Sequence, residues 1–273
     1  LLAHTLESYK LSVTHLTSFL DVTRGGPQYF LLNNLLRFPK SKHPSAEYGS
    51  AIHEALQRAH SHLLATGMKK PLEDVLQDFE QILTKYNMPE HDYKLYVQRG
   101  MTSLNKFLAA KYDSFNEDQK VELSFAGQQS RVGEAVLTGA LDLVDFDDKA
   151  KTMIVTDYKT GGASSSWSGK TDNEKLKLHK YRQQLLFYKL MCESSRDYSN
   201  YTVTSGVLQF VEPSQSGDIF TLRLELDKSE LERMSKLINR IWTKIMNCDF
   251  PDTSQYDASY KGVLAFEEDL LAE

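Results

Sequence analysis

At 273 residues the chain fits one large domain or two small ones, and 41% hydrophobic with 25% charged residues is the make-up of a chain that buries an ordinary globular core. A net charge of −5 excludes a surface coated in basic patches, while a local basic groove stays compatible with it. No apolar run approaches the ~20 residues of a membrane span, and two cysteines, Cys192 and Cys248, make neither a disulfide framework nor a four-thiolate site. The opening Leu-Leu-Ala has no initiating Met and no basic-then-apolar leader pattern. The expectation is a piece of a longer polypeptide working in a reducing cytoplasm.

Residues 11–38 read as helical. Ser12 or Thr14 can cap the start, Leu16, Phe19 and Leu20 make an apolar stripe, and Arg24-Gly25-Gly26-Pro27 interrupts before the pattern resumes at Gln28. A loop is expected over 40–44. Residues 45–65 form a helix closed by Gly67, with Tyr48, Ile52, Ala55, Leu56, Ala59 and Leu63 on its apolar face. His53 lies beside that face, one turn after Gly49. A lone histidine so placed reads first as a core-edge residue and second as a metal ligand. Amphipathic helices at 72–86 and 92–115 read as packing. Residues 121–128 alternate as a strand, and Glu122 in it reads as an edge charge before an outer-shell acid.

The next stretch organises the chain. Residues 136–146 and 152–158 are rich in β-branched and apolar residues, and Asp147-Asp148-Lys149 between them carries turn chemistry. Antiparallel pairing about Lys149 and Ala150 sets Asp142 opposite Asp157, Val144 opposite Val155 and Phe146 opposite Met153. Opposed residues share a face, with Cβ atoms roughly 5 Å apart, and the strand period of 2 keeps Lys159 on the face of Asp157. Two carboxylates this close repel unless a cation sits between them or one is protonated. A hard divalent metal with oxygen ligands is the natural occupant.

Thr160-Gly161-Gly162 opens a Ser- and Gly-rich loop that holds Trp167, which either stacks on a nucleic-acid base or folds back onto the protein. Lys170, Lys175, Lys177, Lys180 and Arg182 cluster from there into the helix at 174–192. Cations at a helix N-terminus oppose the macrodipole, which hints at an anionic partner, although a solvated face is the ordinary reading of such a run. That helix places Gln184 and Tyr188 one turn apart on one face. Strands at 201–211 and 219–226 follow, then a long amphipathic helix at 228–246. The tail, 249–273, reads as polar and turn-rich with an acidic finish.

Taken in order, Gly49-xxx-His53, Gly139-x-x-Asp142, Asp157-Tyr158-Lys159 and Gln184-xxx-Tyr188 resemble the RecB-type branch of the PD-(D/E)xK nuclease superfamily, as in helicase-nucleases of the RecB and AddB kind. Leu16-xx-Phe19 and Pro27-xx-Phe30 sit where those domains have an opening helix and a Pro-x-x-Phe turn. The resemblance implies an α/β restriction-endonuclease-like core: a mixed sheet of about five strands with flanking helices and an N-terminal helical cover. It implies one domain over 1–273, with a helical part at 1–117, a catalytic core at 118–226 and a closing helix and tail at 227–273.

It implies a divalent-metal-dependent DNA nuclease, with exonuclease action on single-stranded ends, in repair or recombination beside a helicase motor on the same or a partner polypeptide. His53, Asp142, Asp157 and the Tyr158 carbonyl would hold Mg²⁺ or Mn²⁺. Lys159 would orient or deprotonate the attacking water, with Gln184 and Tyr188 positioning the phosphate or the lysine. Trp167, Lys170, Lys175, Lys177, Lys180 and Arg182 would bind the nucleic acid. Many relatives hold an iron–sulfur cluster with four cysteines, one near the start and three near the end. This tail has none, so no cluster is expected and the N- and C-terminal segments are expected to meet by packing alone. The rival reading is a nucleic-acid-binding scaffold with this fold and little turnover.

Overall fold

The computed structural model describes residues 2–39 and 43–273. A short helix α1 (Ala3–Glu7) precedes α2 (Val13–Leu20), whose cap is Ser12, its side chain accepting from the His15 N–H. Gly25, at φ +96°, turns the chain into α3 (Gly26–Phe30), and a single π-helical stretch, Leu31–Leu35, follows. The loop expected over 40–44 falls largely outside the described residues, and Pro44 already starts the next helix. That helix, α4 (Pro44–Thr66), ends on Gly67 at φ +69°, the left-handed conformation that glycine adopts without a Cβ clash. Helices α5 (Leu72–Thr84) and α6 (Glu90–Lys111) complete the first half.

The second half is built on a sheet. Strand β1 (Gln119–Ser124) comes first, then a small hairpin of β2 (Arg131–Val132) and β3 (Ala135–Val136), and the long hairpin of β4 (Ala140–Asp147) and β5 (Thr152–Lys159). Helix α7 (Asp172–Glu193) crosses to β6 (Thr202–Phe210) and β7 (Thr221–Glu225), and α8 (Lys228–Met246) and α9 (Tyr260–Ala272) close the chain. The mixed five-stranded sheet has the order β1-β4-β5-β6-β7, with β5 and β6 parallel and the other neighbours antiparallel. The expected register holds: Val144 faces Val155 and Phe146 faces Met153. At the turn the Asp147 carboxylate accepts from the N–H groups of Lys149 and Ala150, the side-chain capping that makes aspartate a turn residue.

Two cores lie on the two faces of the sheet. Val144, Met153 and Val155 pack with α2, α3, α7, α8 and α9, whereas Leu143 and Tyr158 pack with Tyr48, Phe79 and Phe107 of α4 to α6. Each such side chain contributes roughly 1.5–3 kcal/mol by leaving water. Gly206 lets α7 close on β6, since a Cβ there would stand 2.8 Å from that of Leu185.

Two expectations are corrected. The N-terminal helices do not form one cover: α2 and α3 join the α7 layer, because Leu16, Phe19 and Leu20 bury in the core shared with α7, α8 and α9, and α4 to α6 cover the other face. The tail is not a polar turn region either. Val263, Phe266 and Leu270, at helical spacing, bury one face of α9, and Phe19 stacks on Phe266 with ring centroids 6.3 Å apart. Gln28 donates to the Phe250 carbonyl at 3.0 Å. The two ends of the chain therefore meet by packing.

Candidate active site

The hairpin register, carried one step past Leu143 and Thr156, brings Asp142 level with Asp157. On the other side of β4, Val121 pairs with Leu143 and Leu123 with Leu141, so Glu122 falls level with Asp142. Three carboxylates thus form a row across β1, β4 and β5. Glu122 sits at φ +48°, a conformation that costs a non-glycine residue energy and tends to persist at functional sites. The edge-charge reading of Glu122 gives its strand correctly, β1 being the sheet edge, but the side chain is half-buried beside His53 and Asp142.

His53 reaches the row from α4. One turn earlier, Gly49 brings the helix against the segment after Lys159, where a Cβ would stand 3.0 Å from Thr160 Oγ1. His53 Nδ1 lies 3.3 Å from Asp142 Oδ2, and the same oxygen accepts from the Tyr158 N–H at 2.8 Å. Ligand atoms of His53, Glu122 and Asp142 all lie within 4.8 Å of one another. Burial alone would lower the His53 pKa, but the hydrogen bond and charge of Asp142, with Asp157 behind it, raise it. Burial and then the Asp142 charge push Glu122 up. Both shifts report one condition, excess negative charge in a partly desolvated place. A divalent cation relieves it, and two carboxylates with an imidazole suit Mg²⁺ or Mn²⁺. The donor set fits such an ion.

The other half of the site is already closed. Lys159 Nζ donates to Gln184 Oε1 at 2.6 Å and lies 2.7 Å from Asp157 Oδ2. Gln184 Nε2 donates to Asp157 Oδ1 at 2.7 Å and to the Tyr188 hydroxyl at 2.6 Å, and that hydroxyl lies 3.2 Å from Asp157 Oδ1. The i, i+4 spacing of Gln184 and Tyr188 on α7 is what lets both reach one carboxylate. Burial raises the Asp157 pKa and Lys159 opposes that rise. Tyr188 is pushed well up, by burial and then by Asp157. The sequence reading passed over Tyr181, whose ring centroid is 4.3 Å from Lys159 Nζ and whose hydroxyl is pushed up to about 12, first by burial and then by Asp157. Its signal was there: Tyr181 precedes Gln184 by three residues and Tyr188 by seven.

The structure therefore assembles His53, Asp142, Asp157, Lys159, Gln184 and Tyr188 in one place and adds Glu122 and Tyr181. Asp157 turns toward Lys159 and Gln184 and is not one of the His53 group. The Tyr158 side chain is buried on the opposite face, its hydroxyl 3.2 Å from His60 Nε2. The basic cluster is less free than its sequence suggests. Arg182 forms a two-point ion pair with Glu230 at 2.6 and 2.8 Å, Lys180 pairs with Asp21 at 2.5 Å, and Lys177 donates to the Gly162 carbonyl at 2.8 Å. Lys170 and Lys175 are exposed. Trp167 folds back, its indole N–H donating to the Arg223 carbonyl at 2.8 Å. The capping box of Thr171 and Glu174, with Asp172, offsets the lysines at the helix start.

A mixed sheet with a D-x-K strand at its centre, an acid on the neighbouring strand and an α7 glutamine on the lysine defines an α/β nuclease-type domain. The chain belongs to the PD-(D/E)XK nuclease superfamily, whose sequence profile matches residues 10–260. Nucleases of this superfamily use divalent metals. Among solved structures, the chain is similar to a crystal structure of a candidate exonuclease from Eubacterium rectale, with 10% identity, a TM-score of 0.58, and coverage of 91% of this chain and 85% of that one. That likeness shows the fold. A comparison with curated proteins finds no significant match.

Proposed function

We propose that the chain is a divalent-metal-dependent deoxyribonuclease that hydrolyses phosphodiester bonds from single-stranded ends, an exonuclease. One observation carries the reading: the His53–Glu122–Asp142 group stands beside the Asp157–Lys159–Gln184 network. His53, Asp142 and Glu122 would hold the ion, with Asp157 and the Tyr158 carbonyl completing its shell, and the imidazole favours Mn²⁺ somewhat over Mg²⁺. When bound, the cation polarises the phosphate and lowers the pKa of its water.

The remaining work belongs to the chain's own groups. An ammonium has three donors; Lys159 gives one to Gln184 and lies in ion-pair contact with Asp157. Its remaining donors would orient the attacking water or offset charge on the phosphate oxygens. Gln184 holds Lys159 and Asp157 at once, and Tyr188 and Tyr181 close the inner side against water. A preorganised donor of this kind is worth on the order of 10²–10³ in rate. An open cleft of about 760 Å³, lined by Gly49, Ser50, His53, Arg58, Glu122 and Thr160, leads to the metal side.

The RecB-type motif order supports the wider setting, in which a helicase motor feeds the strand during repair or recombination and the whole chain acts as one nuclease domain. Linear and covalently closed single-stranded DNA, incubated with Mn²⁺ and with EDTA, test the activity. The reading expects Mn²⁺-dependent loss of the linear substrate and survival of the circle. Cleavage of both at equal rates would overturn the exonuclease assignment, and DNA binding without any cleavage would favour the scaffold.

A further inference from the structure

A second cleft of about 760 Å³ lies beyond the Thr160-Gly161-Gly162 segment, between α2, α3 and the first half of α7. The site described above does not use it. Arg24, Lys177 and Lys180 line it against a single carboxylate, Asp21, in a chain whose net charge is −5. That carboxylate is engaged: it is 4% exposed and accepts from Thr23 Oγ1 and Lys180 Nζ, each at 2.5 Å. It braces the wall and leaves the cationic excess facing the cleft. Apart from Leu176 and the Tyr29 ring, the rest of the lining is hydroxyl and amide, as at Thr14, Thr17, Ser18, Asn34 and Asn173, which suits phosphate and sugar oxygens.

Helix α7 ties this cleft to the site. Lys177, Tyr181, Gln184 and Tyr188 follow one another at spacings of four, three and four, so they share one face. Seven residues at 1.5 Å each put Lys177 roughly 10 Å from Gln184. At about 3.4 Å per nucleotide along a stacked strand, that is about three nucleotides, and fewer if the strand is stretched. Lys177 Nζ spends one donor on the Gly162 carbonyl and has two left, and the Arg24 side chain, whose Nε lies 3.7 Å from Asp21 Oδ2, is still 69% exposed. Between cleft and site, Gly161 and Gly162 have nothing within 4 Å of where a Cβ would stand, so a backbone can pass close to a backbone there.

We propose that this cleft is the track for the single strand on one side of the scissile phosphate, gripping two or three nucleotides through their phosphates with Arg24 and Lys177. The inference rests on the nuclease reading of the adjoining site and names its substrate as a single-stranded polynucleotide.

The test is fluorescence anisotropy of end-labelled oligothymidylate and oligouridylate across a salt series, in EDTA so that cleavage plays no part. Proteins compared are the wild type, Arg24→Ala, Lys177→Ala, the double variant, Lys177→Arg, and Lys149→Ala at the far turn of the hairpin, with thermal melting to confirm folding. The log–log salt slope should flatten by about 0.7 for each single alanine variant and about 1.4 for the double. Lys177→Arg and Lys149→Ala should keep the wild-type slope. Flattening with one oligomer or both identifies the strand as DNA, RNA or either. An unchanged slope in the folded double variant overturns the track, and so does equal flattening on a blunt duplex. Because this readout needs no turnover, a flattened slope in an enzyme that never cuts would sink the nuclease reading and leave the track standing.

Discussion

The two halves of the candidate site are built in opposite ways. Around Asp157, Lys159, Gln184 and Tyr188 are tied to one another and to its carboxylate in a nearly dry place, and α7 clamps them to β5. Around Asp142, His53 and Glu122 crowd one carboxylate in a half-open place, Glu122 on a strained backbone, with charge of one sign in excess. The first half is finished in the free protein. The second is a set of donors that a cation would complete. Preorganisation costs nothing at the moment of reaction where the group is permanent, whereas a dissociable ion requires donors held slightly apart and accessible.

This contrast predicts variants that separate cutting from metal binding. The largest effect is expected for Lys159→Ala, with kcat down by about 10²–10³ or more and KM nearly unchanged, measured on end-labelled DNA. A comparable loss for Lys149→Ala would remove the special status of the network. Next comes Glu122→Gln, which should weaken Mn²⁺ binding by on the order of ten- to a hundredfold, in the range seen when a metal site loses a supporting group. Calorimetry reads it directly, and unaltered affinity would return Glu122 to a plain edge charge. Gln184→Ala should lower kcat by roughly tenfold and, by stranding the Asp157 and Lys159 polar groups, destabilise the fold by about 1–3 kcal/mol.

The effect most remote from catalysis lies behind the site. His60 is 1% exposed, stacks on Phe115 at 3.6 Å, and burial lowers its pKa to about 4 from an ordinary 6.5. The unfolded chain therefore binds the proton first. Stability is full above about pH 6.5 and falls as the pH drops toward about 4, by up to about 3 kcal/mol. His60→Phe should flatten urea stability over that window, and an unchanged slope would assign acid sensitivity to other groups.

How much of this was legible in the sequence divides along the same line. The β4–β5 hairpin was readable because the strand period and the Asp147 turn set its register, and register places Asp142, Asp157 and Lys159. The Gln184–Tyr188 pair was readable because helical spacing is local. Glu122 was not, since its meaning depends on which strand lies next to β4, a pairing across about twenty residues that alternation alone does not reveal, and on a positive φ. The acidic partners of the basic cluster were not legible for the same reason: Asp21 and Glu230, which pair with Lys180 and Arg182, lie 159 and 48 residues away in sequence. In α9 the Val263, Phe266 and Leu270 spacing was present, but Gly262 and the acidic finish obscured it.

The central claim is that one half of the site holds the ion and the other performs the cut. Its most direct test is a Mn²⁺ titration of wild type, Lys159→Ala and Asp142→Asn, with DNA cleavage measured on the same samples. The account predicts that Lys159→Ala binds Mn²⁺ as the wild type does and cuts at least about a hundredfold more slowly, while Asp142→Asn loses both. Loss of Mn²⁺ binding in Lys159→Ala, or full cleavage by Asp142→Asn, would contradict it.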